Sequence, residues 1–267
     1  MLQQQLTVSL PTSPALVLVT DLDGTLLAGS TAWRRGFYHW LGRERNQVLH
    51  VFCTGRDLVS VARVLEQDRP LGLLAPHLVI SDVGCTVACG ASLRPVPLAV
   101  EPIDRSWRGL PERLAPLLKG QPGLEAQPQS HNRRLAYYYD PAQLDHRLIP
   151  RLEAEGVDCL LSDGRYLDVL PAGVNKGTTL QALLGWLEVD SSRVVTAGDT
   201  LNDLAMFETG LKGVMVANAE AALLRHLPRL PGTYLARGKG CAGIAEGLSH
   251  FGFGHLLQGV NWPLSDS

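Results

Sequence analysis

"VVTAGDTLNDLAMF", residues 194–207, starts as an apolar strand and then breaks its own pattern. The apolar run ends at Gly198, and Asp199, Asn202 and Asp203 follow with no basic residue among them. Acids packed together raise one another's pKa values, so a strand that ends this way calls for a cation. Similar runs recur along the chain: "ALVLVTD" (15–21), "VLHVFCTG" (48–55), "HLVISDVG" (77–84) and "GVMVAN" (213–218). Between them, residues 31–44, 57–67, 176–187 and 219–227 have helical spacing. Strand-length apolar runs that alternate with helices predict βαβ units and a parallel sheet covered on both faces.

The middle of the chain differs. From about residue 88 to 168 it holds Pro-rich turns, a helical pattern near 107–119 and the alternating "NRRLAYYYD" (132–140). A further helical pattern spans 141–155, followed by the strand-like "DCLLS" (158–162) and "RYLDVLP" (165–171). The sequence thus predicts an α/β protein. A Rossmann-like parallel-sheet core, in two pieces at 1–88 and 168–267, encloses an inserted α+β domain at 89–167.

Composition narrows the function classes. The chain has 267 residues, 45% hydrophobic and 19% charged, enough for a sizeable core. Its 24 basic and 26 acidic residues give a net charge of -2, with no basic excess for nucleic acid. The five cysteines are scattered, and no second pair or His cluster joins Cys85 and Cys89 into a zinc site. They read as reduced thiols in a cytoplasmic protein. The N-terminus "MLQQQLTVSLPTSPA" lacks the basic n-region of a secretory signal. No apolar run approaches the roughly 20 residues of a membrane span. Residues 1–14 read as a frayed lead-in ending at Pro14.

Open α/β sheets place ligands at the carboxyl ends of their strands. The first strand ends in "DLDGT" with Asp21 and Asp23, the second in "CTGRD" with Thr54 and Gly55, and a later one in "GDTLND". Lys176 opens the helix after "LPAGVN". Four carboxylates and a lysine would share one rim. A hard divalent cation such as Mg2+ relieves that repulsion and leaves room for waters and a phosphate. Asp21 can attack phosphorus, and Asp23 can protonate the leaving oxygen and later activate water. Thr54 and the Gly55 amide can donate to phosphate oxygens, and Lys176 can neutralise the transferring group. Asp199 reads as a direct metal ligand, and Asp203 as a group that orients the metal's waters. Asn202 can bond substrate or Lys176.

Each feature alone has an ordinary explanation. Asp-Gly makes turns, Thr-Gly leads into helices, and a lysine at a helix start is usually solvated. Arg56 can touch substrate or pair with Asp57 or another acid. Trp33, Phe37, Trp40 and Leu41 have helical spacing and read as core. His131, Arg133, Arg134, Tyr138 and Arg165 can meet a polar ligand, although singly each reads as solvated or structural. The weight lies in the order and placement of the set.

"DLDGT", "TGR", the lysine of "LPAGVNKGTTLQAL" and "GDTLND" resemble, in that order, the four motifs of haloacid dehalogenase-like phosphatases. "ISDVGCTV" (80–87), "LPAGVNKG" (170–177), "GVMVANAEAAL" (213–223) and "CAGIAEGLSHFG" (241–252) are similar to core segments of the sucrose-phosphate phosphatase branch. The resemblance spans roughly 15–88 and 167–252 and is weak in the inserted domain. "GCT" at 84–86 departs from it, with a cysteine between the expected Gly and Thr. The resemblance implies Asp21 as nucleophile, Asp23 as acid/base, and Thr54 and Lys176 as phosphate binders. It implies Mg2+ on Asp21, Asp199 and the Asp23 backbone carbonyl, with Asn202 and Asp203 in support. It also implies a sugar-reading cap, a sugar phosphate such as sucrose 6-phosphate as substrate, and a possible glycosyltransferase partner. Phosphatases for other glycosyl phosphates, glycosyl-phosphoglycerates or hexose phosphates share these motifs. A phosphosugar mutase, or a non-catalytic phosphosugar-binding module beside a glycosyltransferase, is the further alternative.

Overall fold

The structure, a computed structural model, describes residues 2–128, 133–260 and 262–263. Five apolar runs form the centre of the main sheet. They are β1 (Leu16–Thr20), β2 (Val48–Cys53), β3 (Leu78–Ser81), β9 (Val194–Gly198) and β10 (Lys212–Met215). With β4 (Thr86–Cys89) and β11 (Thr233–Leu235), the order is β11-β10-β9-β1-β2-β3-β4. All neighbours are parallel except β4, which runs antiparallel to β3 at one edge.

Every residue of β1 and β2 is buried. Successive side chains face opposite sides of a sheet, so a continuous apolar run is what a doubly covered strand requires. Leu16 and Leu18 pack with Phe37 and Trp40 of α1 (Thr31–Arg43), Val61 of α2 (Leu58–Gln67) and Ile244 of α9 (Gly240–His250). Val17 and Val19 pack on the other face with Leu180 and Leu183 of α6 (Lys176–Leu187). Two short helices, α7 (Leu204–Phe207) and α8 (Ala221–Leu224), pack Phe207 and Leu223 with Met215 of β10. The aromatic stripe is core, and Trp33 stacks on Trp262 at 5.3 Å.

A second, antiparallel sheet has the order β5-β6-β8-β7, from β5 (Leu124–Ala126), β6 (Leu135–Tyr139), β7 (Val157–Ser162) and β8 (Tyr166–Pro171). It shares a separate apolar cluster with α4 (Leu110–Leu118) and α5 (Leu148–Glu153). Between the sheets runs α3 (Pro97–Trp107), with Ala99 in the main core and Trp107 in the second cluster.

Four expectations differ from this fold. The helical pattern at 141–155 forms a helix only from Leu148, because Asp140 caps a turn, accepting from Ala142 N at 2.9 Å. Leu144 is buried with Leu148, so their spacing of four arises from turn packing. The prolines of 97–107 point to turns, yet the segment is helical. Pro97 occupies the first turn, where the missing N–H is tolerated, and the apolar face is buried. Residues 77–84 leave the strand at Asp82, which opens the turn into β4. The described part of the lead-in, residues 2–14, is packed rather than frayed: Leu2 is buried in the main core, and Gln5 Oε1 accepts from Leu98 N at 3.0 Å.

The cysteine of "GCT" fits this turn. Cys85 packs with Val83 and Leu170. Gly84 has φ +107 and lies so close to α6 that a Cβ would sit 2.4 Å from the Asn175 carbonyl. The five cysteines are all free thiols.

Candidate active site

β1 and β9 are neighbours at the sheet centre, so the residues that follow them meet. Asp21 N donates to Ala197 O at 2.9 Å, which holds the two strand ends in step. The chain then turns at Gly24, with φ +76. A Cβ there would fall 1.9 Å from Asp199 Oδ2, so the turn needs glycine both for its dihedral and for space. Thr25 Oγ1 donates to Asp199 Oδ1 at 2.6 Å. Asn218 Nδ2 donates to Gly24 O at 2.7 Å and its Oδ1 accepts from Gly240 N at 3.1 Å, tying the turn to α9.

Lys176 is the first residue of α6, whose N-cap Asn175 forms a reciprocal capping box with Thr178. The lysine is fully buried. Its Nζ donates to Asp21 Oδ1 at 2.7 Å, Asn202 Oδ1 at 2.7 Å and Asp203 Oδ1 at 2.6 Å. Three acceptors satisfy the three protons of a buried ammonium. Asp203 Oδ2 accepts from Asp199 N at 2.9 Å and Thr200 N at 3.0 Å. Both its oxygens are thus engaged.

Asp21, Asp199 and Asp203 bring carboxylate oxygens within 4.8 Å of one another. Among the described residues, Asp21 Oδ2 and Asp199 Oδ2 accept no hydrogen bond. Two unengaged oxygens beside a saturated third carboxylate fit a magnesium ion, which takes few carboxylates and keeps its waters. The Asp23 carboxylate is not part of this group.

Burial, the largest influence, raises the Asp21 carboxyl well above its ordinary value; Lys176 opposes that, while Asp203 and Asp199 add to it. Asp199 is pushed up to about 7, by burial first and then by Asp203. Burial disfavours the Lys176 ammonium, yet Asp203 and Asp21 outweigh it and hold the pKa above its ordinary value. These shifts predict an unusual pH dependence for the metal-free protein. Between about pH 4 and 7 folded Asp199 keeps a proton that the unfolded chain has released. Stability from this group therefore falls as pH rises through that window, by on the order of 4 kcal/mol. Urea unfolding at about pH 5 and pH 8 checks this. The wild type should lose more stability than Asp199→Asn on going to the higher pH, and equal losses would refute the shift.

Asp23 is held by Arg56, whose Nε and Nη2 donate to its two oxygens at 2.6 and 2.7 Å. The acid that Arg56 grips is thus Asp23 rather than its sequence neighbour Asp57. This hydrogen bonding is the main cause that raises the Arg56 pKa. Thr54 is buried, and its Oγ1 accepts from Arg56 N at 3.1 Å. Residues 54–56 are clamped by the turn after β3: Val83 N donates to Thr54 O at 3.1 Å and Asp82 N to Arg56 O at 2.9 Å. Asp82 and Val83 sit at φ 56 and 58, a conformation costing about 1–3 kcal/mol per non-glycine residue. Such strain persists where surrounding contacts over-determine it, as at this clamp.

A cleft of about 620 Å³ lies between the two sheets over these residues. The main sheet contributes Asp21, Asp23, Thr54, Gly55, Asp199 and Asn202; the second sheet contributes Tyr138, Ser162, Tyr166 and Asp168. Arg133 pairs with Asp104 at 2.7 Å and does not line this cleft. Arg165 lies over Tyr138, 4.8 Å from the ring centroid, and lines a shallower neighbouring groove. His131 lies outside the described residues. Arg134 lines the cleft but is buried against Asp168. Sequence reading assigned no role to Thr25, Asn218, Asp82 or Asp168. An acid at the centre of "RYLDVLP" was the visible signal for Asp168.

A doubly wound core with four motifs at its carboxyl edge and an α+β unit over them is the architecture of the haloacid dehalogenase-like superfamily. The sequence profile described as sucrose-6F-phosphate phosphohydrolase matches residues 14–252, and the chain belongs to that family. It is 39% identical over 239 residues to a glucosylglycerol-phosphate synthase of Pseudomonas anguilliseptica, covering 89% of this chain and 31% of the relative. It is 30% identical over 270 residues to probable sucrose-phosphatase 1 of Arabidopsis thaliana, covering 93% of this chain and 62% of the relative. The chain thus spans less than two thirds of the length of either. The sucrose-phosphatase of Synechocystis, solved in complex with sucrose and phosphate, superposes with a TM-score of 0.77. Identity is 27%, over 89% of this chain and 98% of that one. No described helix is long and apolar enough to cross a membrane.

Proposed function

We propose that the chain is a magnesium-dependent phosphomonoesterase that hydrolyses a phosphorylated glycoside through an aspartyl-phosphate on Asp21. The observation that carries this reading is the buried lysine joining Asp21, Asn202 and Asp203 at the floor of a cleft. A buried ammonium holds the nucleophile in place and offsets charge on an incoming phosphate. One oxygen of Asp21 attacks phosphorus, and the alkoxide of the leaving sugar takes a proton from Asp23. Water then attacks the aspartyl-phosphate, giving its proton to Asp23 and releasing phosphate and free Asp21. For this, Asp23 must leave Arg56, and substrate phosphate is a suitable competing partner for that guanidinium. Thr54 and Gly55 hold the phosphate, and Asp203 fixes Lys176 and the Asp199 backbone. Mg2+ would be held by Asp21 and Asp199 and would supply positive charge to the phosphoryl oxygens.

The main sheet with its covering helices would form the catalytic body, and the second sheet, β5 to β8, with α4 and α5 would form the cap that reads the sugar. The cleft volume falls within the range of about 300–1,000 Å³ that buries a small-molecule ligand. Relatives named for sucrose phosphate and glucosylglycerol phosphate support a glycoside as the leaving group. The match to part of a synthase supports work beside a glycosyltransferase that makes the phosphorylated glycoside. An intact set of Asp21, Asp23, Lys176 and Asp199 favours turnover over a binding-only role.

The test is phosphate release from sucrose 6-phosphate, glucosylglycerol phosphate and glucose 6-phosphate, with magnesium and with chelator. Magnesium-dependent release, at least about tenfold faster from a glycoside phosphate than from the hexose phosphate, is expected. Equal rates would remove the sugar-reading role of the cap. No release from any of them would refute the enzymatic reading.

A further inference from the structure

Arg134 joins the two sheets at the phosphate loop. It precedes β6, in the second sheet, yet it is 6% exposed and reaches into the main domain. Its Nη1 donates to Asp168 of β8. Its Nη2 donates to Gly55 O at 2.9 Å and lies 3.5 Å from Asp82 Oδ1. The planar guanidinium fork serves these acceptors at once, which a single ammonium could not do in the same geometry. Burial opposes the charge, but Asp168 and Asp82 raise the Arg134 pKa above its ordinary value.

The carbonyl of Gly55 and the amide N–H of Arg56 belong to one planar peptide unit. The N–H end of that unit donates to Thr54 Oγ1 at 3.1 Å. A cation on the carbonyl polarises the peptide and strengthens donation from its N–H, because linked hydrogen bonds reinforce one another. With a lone pair of Thr54 Oγ1 filled in this way, its own proton is left to point elsewhere. Thr54 lines the cleft, so the accessible acceptor is a group bound there.

From this chain of contacts we infer that Arg134 is a positioning residue through which the second sheet orients the phosphate-binding Thr54. The guanidinium acts through the Gly55–Arg56 peptide on the Thr54 hydroxyl. The link crosses from the second sheet to the first, so the orientation of the hydroxyl depends on how the two sheets dock. Asp82 serves the same end from the strained turn, since it faces the guanidinium and its amide holds the Arg56 carbonyl. The inference rests on the reading of Thr54 as a phosphate donor.

A double-variant cycle on the full chain tests it, with inorganic phosphate as competitive inhibitor of a small aryl phosphate. Thr54→Val and Arg134→Gln should each weaken phosphate inhibition by roughly tenfold. The double variant should be no weaker than Thr54→Val alone, within about twofold. Compared with Arg134→Gln, Arg134→Lys should recover part of the loss when Thr54 is intact. It should recover none in combination with Thr54→Val, where the hydroxyl is missing. Should Arg134→Gln fail to fold by thermal unfolding, the same cycle is run with Arg134→Lys. Losses that multiply in the double variant would show that Arg134 acts without Thr54, and would overturn the relay. Thr54→Val with phosphate inhibition unchanged would instead overturn the reading of Thr54 on which the relay stands.

Discussion

Asp21→Asn should lower turnover by at least about 10⁴-fold while the protein stays folded. The substitution removes the attacking oxygen but almost no volume. It also leaves Lys176 with Asn202 and Asp203 as acceptors, at 2.7 and 2.6 Å. The buried ammonium is not stranded, and a buried carboxyl whose charged form is disfavoured disappears. Stability should therefore move by no more than about 1 kcal/mol in either direction. Steady-state phosphate release and urea unfolding on the same preparation separate the two effects. Turnover within about tenfold of the wild type would rule out the covalent mechanism, whatever the fold does.

Lys176→Met should be costly to fold and function together. The methionine fills much of the same space, but Asp21 and Asp203 lose their shared cation while Asp199 stays within reach of both. Breaking a buried ion pair from one side costs about 3–5 kcal/mol, because the remaining charge is left without compensation. The loss should be largest near about pH 8 and shrink near about pH 5, where Asp21, whose carboxyl burial already raises, takes up a proton instead. Turnover should fall at least about 10³-fold. A variant as stable as the wild type at the higher pH would mean that the lysine is not the charge that holds these acids together.

These two residues also show how much the sequence disclosed. Lys176 was legible because an N-cap, a helix start and a lysine coincide, and α6 begins at that residue. Asp21 and Asp199 were legible because each ends a buried run that is apolar but for one threonine. The central strands share that buried, mostly apolar character, since burial on both faces leaves no other pattern for them. The edges carry weaker signals. β4 and β11 are short and lie at the edges of the sheet, and the α3 helix hides behind Pro97 and Pro102. Arg134 and Arg56 stand out as basic residues, but their partners do not. Which acid an arginine meets depends on the docking of one sheet on the other, and no local pattern encodes that. The same holds for Asp82, whose left-handed backbone is imposed by contacts to residues 54 and 56.

The position of β1 has a consequence for the growing chain. Its partners are β2, which follows after one helix, and β9, which follows only after the whole second sheet. A ribosome that has not yet released β9 has therefore made the nucleophile strand with one flank still open. That flank is "LVLVT", apolar for four residues and carrying unsatisfied backbone donors and acceptors, the usual template for wrong pairing. The inserted sheet, with a core of its own, can gather the intervening residues and shorten the chain that must close before Val17 meets Val194. Variants that unfold the cap alone should then lower the yield of soluble protein during synthesis more than they lower the stability of protein already folded.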